Sequence, residues 1–197
     1  MPHPADRVYE WNGCLYVPRS SVLLAAGPFL TTSLHFVKQH LVLPPGFHLG
    51  VKDRLVGGVI RPRSGLVAAR IHGDSMVCKD IFDGDILIFQ RKELGDLYDG
   101  RIVVIERMGE EENYGAWALK KLVIEKPRSS QRDEYGEERD WNDPIIKLYS
   151  YNRKIRPWEL DPLGQYRVHG VFLRTLPGDE ARFVDSDTIR RLVTGEE

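Results

Sequence analysis

The stretch Asp83–Arg107, DGDILIFQRKELGDLYDGRIVVIER, decides the fold class. Two Asp-Gly dipeptides, Asp83-Gly84 and Asp99-Gly100, each stand directly before an apolar, β-branched run. Glycine takes a left-handed backbone at no steric cost, so each dipeptide reads as a turn into a strand. DILIFQ over 85–90 and RIVVIER over 101–107 are therefore predicted strands. Outward from these, the same kind of run recurs as LVAARI over 66–71, AWALKKLV over 116–123, and the segments 145–151 and 166–176. Short strands at near-regular spacing, with Gly and Asp turns between them, predict a mostly β domain.

The flanks are less regular. Residues 1–20 are polar and contain prolines, and they read as irregular. Val22 to Ala26 is apolar and stops at Gly27-Pro28. Pro28 lacks a backbone donor and steers Gly27 away from helix. LTTSLHFVKQHLVL over 30–43 has an apolar spacing that fits either a short helix or an extended arm. The expected organisation is a flexible N-terminal arm over 1–45, a β-rich domain over 46–180 and a polar tail over 181–197. The tail holds one helical segment at 185–193. PRSSQRDEYGEERDWND, over 127–143, is dense in charge and reads as a solvated insertion loop, or else as a recognition surface.

Composition narrows the function classes. The 197 residues are 42% hydrophobic and 29% charged, ordinary values for a globular chain. A net charge of -1 supplies no global field for nucleic acid or anionic lipid. The first 65 residues lack the helical segments of a helix-turn-helix unit, so no direct, specific DNA binding is expected. Cys14 and Cys78 form neither a disulfide framework nor a metal cluster, and two reduced thiols fit a cytoplasmic protein. The N-terminus has no secretory h-region, and no apolar run is long enough to span a bilayer. No metal or cofactor is expected.

Two segments point to chemistry. RIHGDSM over 70–76 is a strand running into a Gly-Asp-Ser turn. A serine there is usually a turn residue, but the same geometry can fix the Ser75 hydroxyl beside backbone N–H groups that face an oxyanion. LKKL over 119–122 sets two lysines inside an apolar strand. Side chains alternate along a strand, so Lys120 and Lys121 point to opposite faces. Either both lie on an edge strand, or one is buried, loses part of its proton affinity and becomes a base for a serine. His72 and His169 have no triad spacing and read as structural. Asp83 and Asp85 read as turn and strand-start residues.

In order along the chain, these segments resemble the LexA/UmuD self-cleaving peptidases. HGDSMVCKDIFDGDILIFQR resembles that family's nucleophile segment, and DGRIVVIER its next strand. ALKKL resembles its Val-Lys-Arg/Lys-Leu, YSYNRKIRP a later Asn-containing stretch, and YRVHGVFLRTL its closing strand. The resemblance runs from about Val22 to Leu176. It implies a LexA/signal-peptidase-like β-ribbon fold with Ser75 as nucleophile and Lys120 as base. The backbone N–H groups of Asp74 and Ser75 would form the oxyanion site. It also implies self-cleavage between a small residue and glycine, here Ala26–Gly27. The sequence departs from the family in a longer spacing from Ser75 to Lys120, with extra residues at 108–115, and in the insertion at 127–143.

The layout is UmuD-like, with a short segment before the cleavage site and no DNA-binding domain. That implies a homodimer, activation by a RecA-type filament, a DNA polymerase or other effector as partner, and a role in the DNA-damage (SOS) response or translesion synthesis. Two other readings stay open. One is a peptidase acting in trans on a repressor or defence effector, and the other is a non-proteolytic interaction module of the same fold. A signal-peptidase-like enzyme is disfavoured, because a membrane anchor is missing from the expected pattern.

Overall fold

A computed structural model describes residues 7–25, 30–32, 36–49, 65–73, 76, 79–91, 99–107, 115–125, 145–151, 158–159 and 166–195. The protein is mostly β, as the sequence predicts. The described strands are β1 (Tyr9–Trp11), β2 (Cys14–Ala25), β3 (Leu30–Thr32), β4 (Phe36–Leu43), β5 (Leu66–His72), β6 (Ile86–Arg91), β7 (Ile102–Arg107), β8 (Gly115–Glu125), β9 (Ile145–Tyr149), β10 (Trp158–Glu159), β11 (Tyr166–Leu176) and β12 (Phe183–Asp185). One helix, α1 (Ser186–Thr194), follows. The insertion at 127–143 lies outside the described residues.

The strands built on the Asp-Gly turns form the centre. β5 pairs antiparallel with β6, β6 with β11, β11 with β7, and β7 with β8. The second half of β2 runs parallel to β5, and Ala25 also pairs with Ala118 of β8. These pairings close a ring in the order β8, β7, β11, β6, β5, β2 and back to β8. Closure removes the free edges that an open sheet would leave unpaired. On the far side, the first half of β2 pairs antiparallel with β4, and β4 with β12.

The N-terminal residues differ from expectation. Residues 9–11, 14–25 and 36–43, read from sequence as part of an arm, are strands of the main sheet. β2 is hydrogen-bonded on both sides, to β4 and to β5. Val17 and Leu24 are buried, and they enter two different core clusters. The physical reason is burial on both faces. A strand covered on both sides needs no alternation of polar and apolar residues, so CLYVPRSSVLLA shows no clean period. Pro18 sits at the register shift where β2 leaves β4 for β5, a position that tolerates a missing donor. The ambiguous segment 30–43 is extended in its described parts.

Helix α1 falls within a residue of its expected place. Asp185 caps it by accepting from the Asp187 and Thr188 N–H groups. A buried latch ties it to β4. His40 Nε2–H donates to the Arg7 carbonyl at 2.8 Å, so Nδ1 accepts from the Ser186 hydroxyl at 3.0 Å. Burial is the main cause that pulls the His40 pKa below its ordinary value, and the neutral ring is the form this arrangement uses.

Candidate functional site

Strand β8 carries Lys120. Its side chains alternate as a strand requires: Trp117 and Leu119 enter one core cluster, whereas Ala118 and Leu122 enter another with Val103, Ile105 and Leu148. Lys120 shares the face of Ala118 and Leu122 and is 0% exposed, and Lys121 is half-buried on the other face. The sequence alternative of two surface lysines on an edge strand is excluded, because β8 pairs on both sides with β7 and β9.

Desolvation dominates the electrostatics of Lys120. An ammonium loses hydration when it is buried, so the neutral amine gains ground. The Lys120 pKa is lowered from 10.5 to about 8 by burial. Nζ donates to Ser150 Oγ at 2.7 Å. Ser150 directly follows β9, whose Tyr149 pairs with Lys121. An amine that is partly neutral near physiological pH and held in a hydrogen bond has the properties of a general base.

The turn after β5 is built by carboxylates. Gly73 has φ 100, a backbone that favours glycine. Its N–H donates to Asp83 Oδ1 at 2.8 Å, and His72 Nδ1 lies 2.9 Å from the same oxygen. The Gly73 hydrogen bond is the leading cause that holds the Asp83 carboxyl below its usual range, with His72 adding to it. Phe82 N–H donates to Asp85 Oδ2 at 2.9 Å, and Ile71 N–H to the Asp85 carbonyl at 2.8 Å. Asp83 and Asp85 are thus turn residues, as read from sequence. Met76 and Ile81 are buried in the core and pin the far side of this segment. Asp74 and Ser75, between these anchors, lie outside the described residues.

The candidate scissile bond, Ala26–Gly27, also lies outside the described residues, but its flanks do not. Before it, Leu23, Leu24 and Ala25 pair with Arg70, Ile71 and His72. Ala25 pairs with Ala118, and after the bond Leu30 pairs with Trp117. Ala118 precedes Lys120 by two residues, about 7 Å along a strand. Both chain segments that flank the bond therefore bind the strand that carries Lys120.

Two features were not visible in sequence. Ser150 lies within YSYNRKIRP, where no local pattern assigns it a role. His169, read as structural, forms a half-buried pair with Glu106 at 2.7 Å. Its ring lies 4.1 Å from that of Trp117. Burial lowers the His169 pKa, and Glu106 works against that shift. Glu106 and Trp117 are register partners, so this pair ties β7, β8 and β11 together. Among the described residues no group of His, Cys, Asp or Glu side chains is placed to hold a metal. No described helix is long and apolar enough to cross a membrane.

The family model described as Peptidase S24-like matches residues 24–126, from the end of β2 through β8. Comparison with curated proteins returns no match.

Proposed function

The chain belongs to the Peptidase S24-like family of LexA/UmuD-like serine peptidases, and on that premise we propose that it cuts its own chain at Ala26–Gly27 with a Ser75–Lys120 dyad. One observation carries the reading: the described residues on both sides of that bond are hydrogen-bonded to β8, two and three positions before a fully buried lysine. Ala25 ends beside His72, and His72-Gly73 leads directly to Ser75. A tethered substrate held this way has a high effective concentration.

The steps follow from the groups. Neutral Lys120 takes the Ser75 hydroxyl proton. The Ser75 oxygen attacks the Ala26 carbonyl carbon, and the Asp74 and Ser75 N–H groups receive the negative charge. Lys120 returns its proton to the Gly27 nitrogen as the C–N bond breaks. Lys120 then takes a proton from water, whose oxygen attacks the Ala26 acyl carbon. The ester bond to Ser75 breaks, Lys120 returns the proton to the Ser75 oxygen, and Ala26 leaves as a carboxylate. In this reading the protein is a homodimeric regulator of the DNA-damage response, triggered by an activated RecA filament and acting on a polymerase or other effector. Membership of the family supports that role.

The test is denaturing intact-mass spectrometry on wild type, Ser75→Ala and Lys120→Met across pH 7 to 10. The neutral fraction of Lys120 rises as pH passes through about 8. The cut should therefore speed up about tenfold from pH 7 to pH 9 and then level off. Both variants should stay whole. A rate that scales with protein concentration would show cleavage in trans. A wild type that stays whole at every pH, with RecA filaments present, would sink the self-cleavage reading and leave the interaction module.

A further inference from the structure

The Lys120 side chain needs more than burial to serve a reaction: its nitrogen must point in one direction. A lysine stem has four rotatable bonds, and freezing it takes specific contacts. The neighbours of Lys120 on its own face of β8 are Ala118 and Leu122, which offer no side-chain polar atom. Orientation must come from outside the strand. Ser150 Oγ, at 2.7 Å from Nζ, meets that need.

Ser150 is itself held. Tyr149, just before it, is in register with Lys121, and its hydroxyl donates to Glu125 Oε1 at 3.3 Å. Tyr151, just after it, packs against the core cluster that contains Met76, and Lys79 lies over its ring at 4.8 Å. Lys79 N–H in turn donates to the Met76 carbonyl at 2.8 Å. Ser150 is thus clamped between two anchored tyrosines, and the second reaches the segment that holds Ser75's neighbour, Met76.

We propose that Ser150 is the positioning residue of Lys120, fixing Nζ through its hydroxyl and coupling the lysine strand to the serine-bearing segment. The inference rests on the dyad reading above for its effect on rate, but not for its effect on the lysine. When Lys120 is charged, Ser150 Oγ accepts from it. When Lys120 is neutral, the hydroxyl can turn and donate to Nζ, so the contact survives the proton transfer. The ammonium makes the stronger of the two bonds, because charge-assisted hydrogen bonds exceed neutral ones. Loss of the hydroxyl therefore lowers the lysine's proton affinity further.

The experiment is a ¹³Cε NMR titration of Lys120 in the full chain as wild type, Ser150→Ala and Ser150→Thr, with cleavage rates taken on the same samples. Ser150→Ala should move the Lys120 titration midpoint to lower pH and slow the cut about tenfold. Ser150→Thr, which keeps the hydroxyl, should restore both. A Lys120 midpoint unchanged in Ser150→Ala overturns the proposal, whatever the rate does, since a merely structural serine would not move it. If wild type does not cut at all, the dyad reading falls, and the titration still decides the role of Ser150.

Discussion

Lys120→Met should abolish cleavage and at the same time make the fold more stable by about 3 kcal/mol at pH 7. The gain follows from linkage. The folded-state pKa, about 8, lies below the unfolded value near 10.5. Between those values the unfolded chain binds more protons than the folded one, so wild-type stability rises with pH across that window. Below pH 8 the folded state bears the full cost of a buried ammonium. Each tenfold loss of proton affinity on folding costs about 1.4 kcal/mol, so the gap between the two values amounts to about 3 kcal/mol. Methionine fills similar space without a charge to desolvate. Denaturant melts at pH 7 and pH 10.5 check the sign. The advantage of the variant should be large at the first pH and nearly gone at the second. A variant no more stable than wild type at pH 7 would mean that the ammonium is well solvated in the folded protein. A site that costs stability where it supplies chemistry is a common trade in enzymes.

Gly170→Ala should destabilise the protein by about 3 kcal/mol or more, enough to lower the melting temperature by roughly 10 °C. Gly170 lies in β11, between β6 and β7, where the register with β7 shifts. A Cβ there would run into the Gln90 carbonyl oxygen and meet the Phe89 ring at 2.7 Å. The first neighbour is backbone and cannot swing aside. Phe89 is buried in the main cluster, so its ring is hemmed in as well. Relief requires β11 to move away from β6, which opens the ring of strands on the side opposite β2. A loss under 1 kcal/mol by chemical denaturation would show that β11 yields easily and that the bulge is soft.

Most of the central strands were legible in the sequence. Asp83-Gly84 and Asp99-Gly100 announced β6 and β7, and the β-branched runs behind them carried the rest. Turn chemistry is local, so one sequence suffices to read it. The inward lysine was half legible: alternation required Lys120 and Lys121 to diverge, but the presence of β9 on the other side of β8 decided that the inward one is buried. β2 and β4 were illegible for the opposite reason. Their extended form depends on partners far along the chain, β5 and β12, and on cover from both faces. The Lys120–Ser150 contact likewise joins strands separated by the charged insertion, and no local pattern signals it. The His40–Ser186 latch spans most of the chain and was invisible on the same grounds.

The position of β2 changes what a cut would accomplish. A severed peptide bond at Ala26–Gly27 would leave the N-terminal piece as a strand with hydrogen-bonded neighbours on both flanks and with Val17 and Leu24 inside two cores. Cleavage would then produce a nicked, two-chain native complex rather than a shed peptide. Native mass spectrometry should show the full mass while denaturing conditions show two pieces. The covalent event would set a clock, whose lifetime is that of a noncovalent strand in its slot. The slower opening of the sheet, not the chemistry at the bond, would then decide when β4 and β5 offer their vacated edges to another chain.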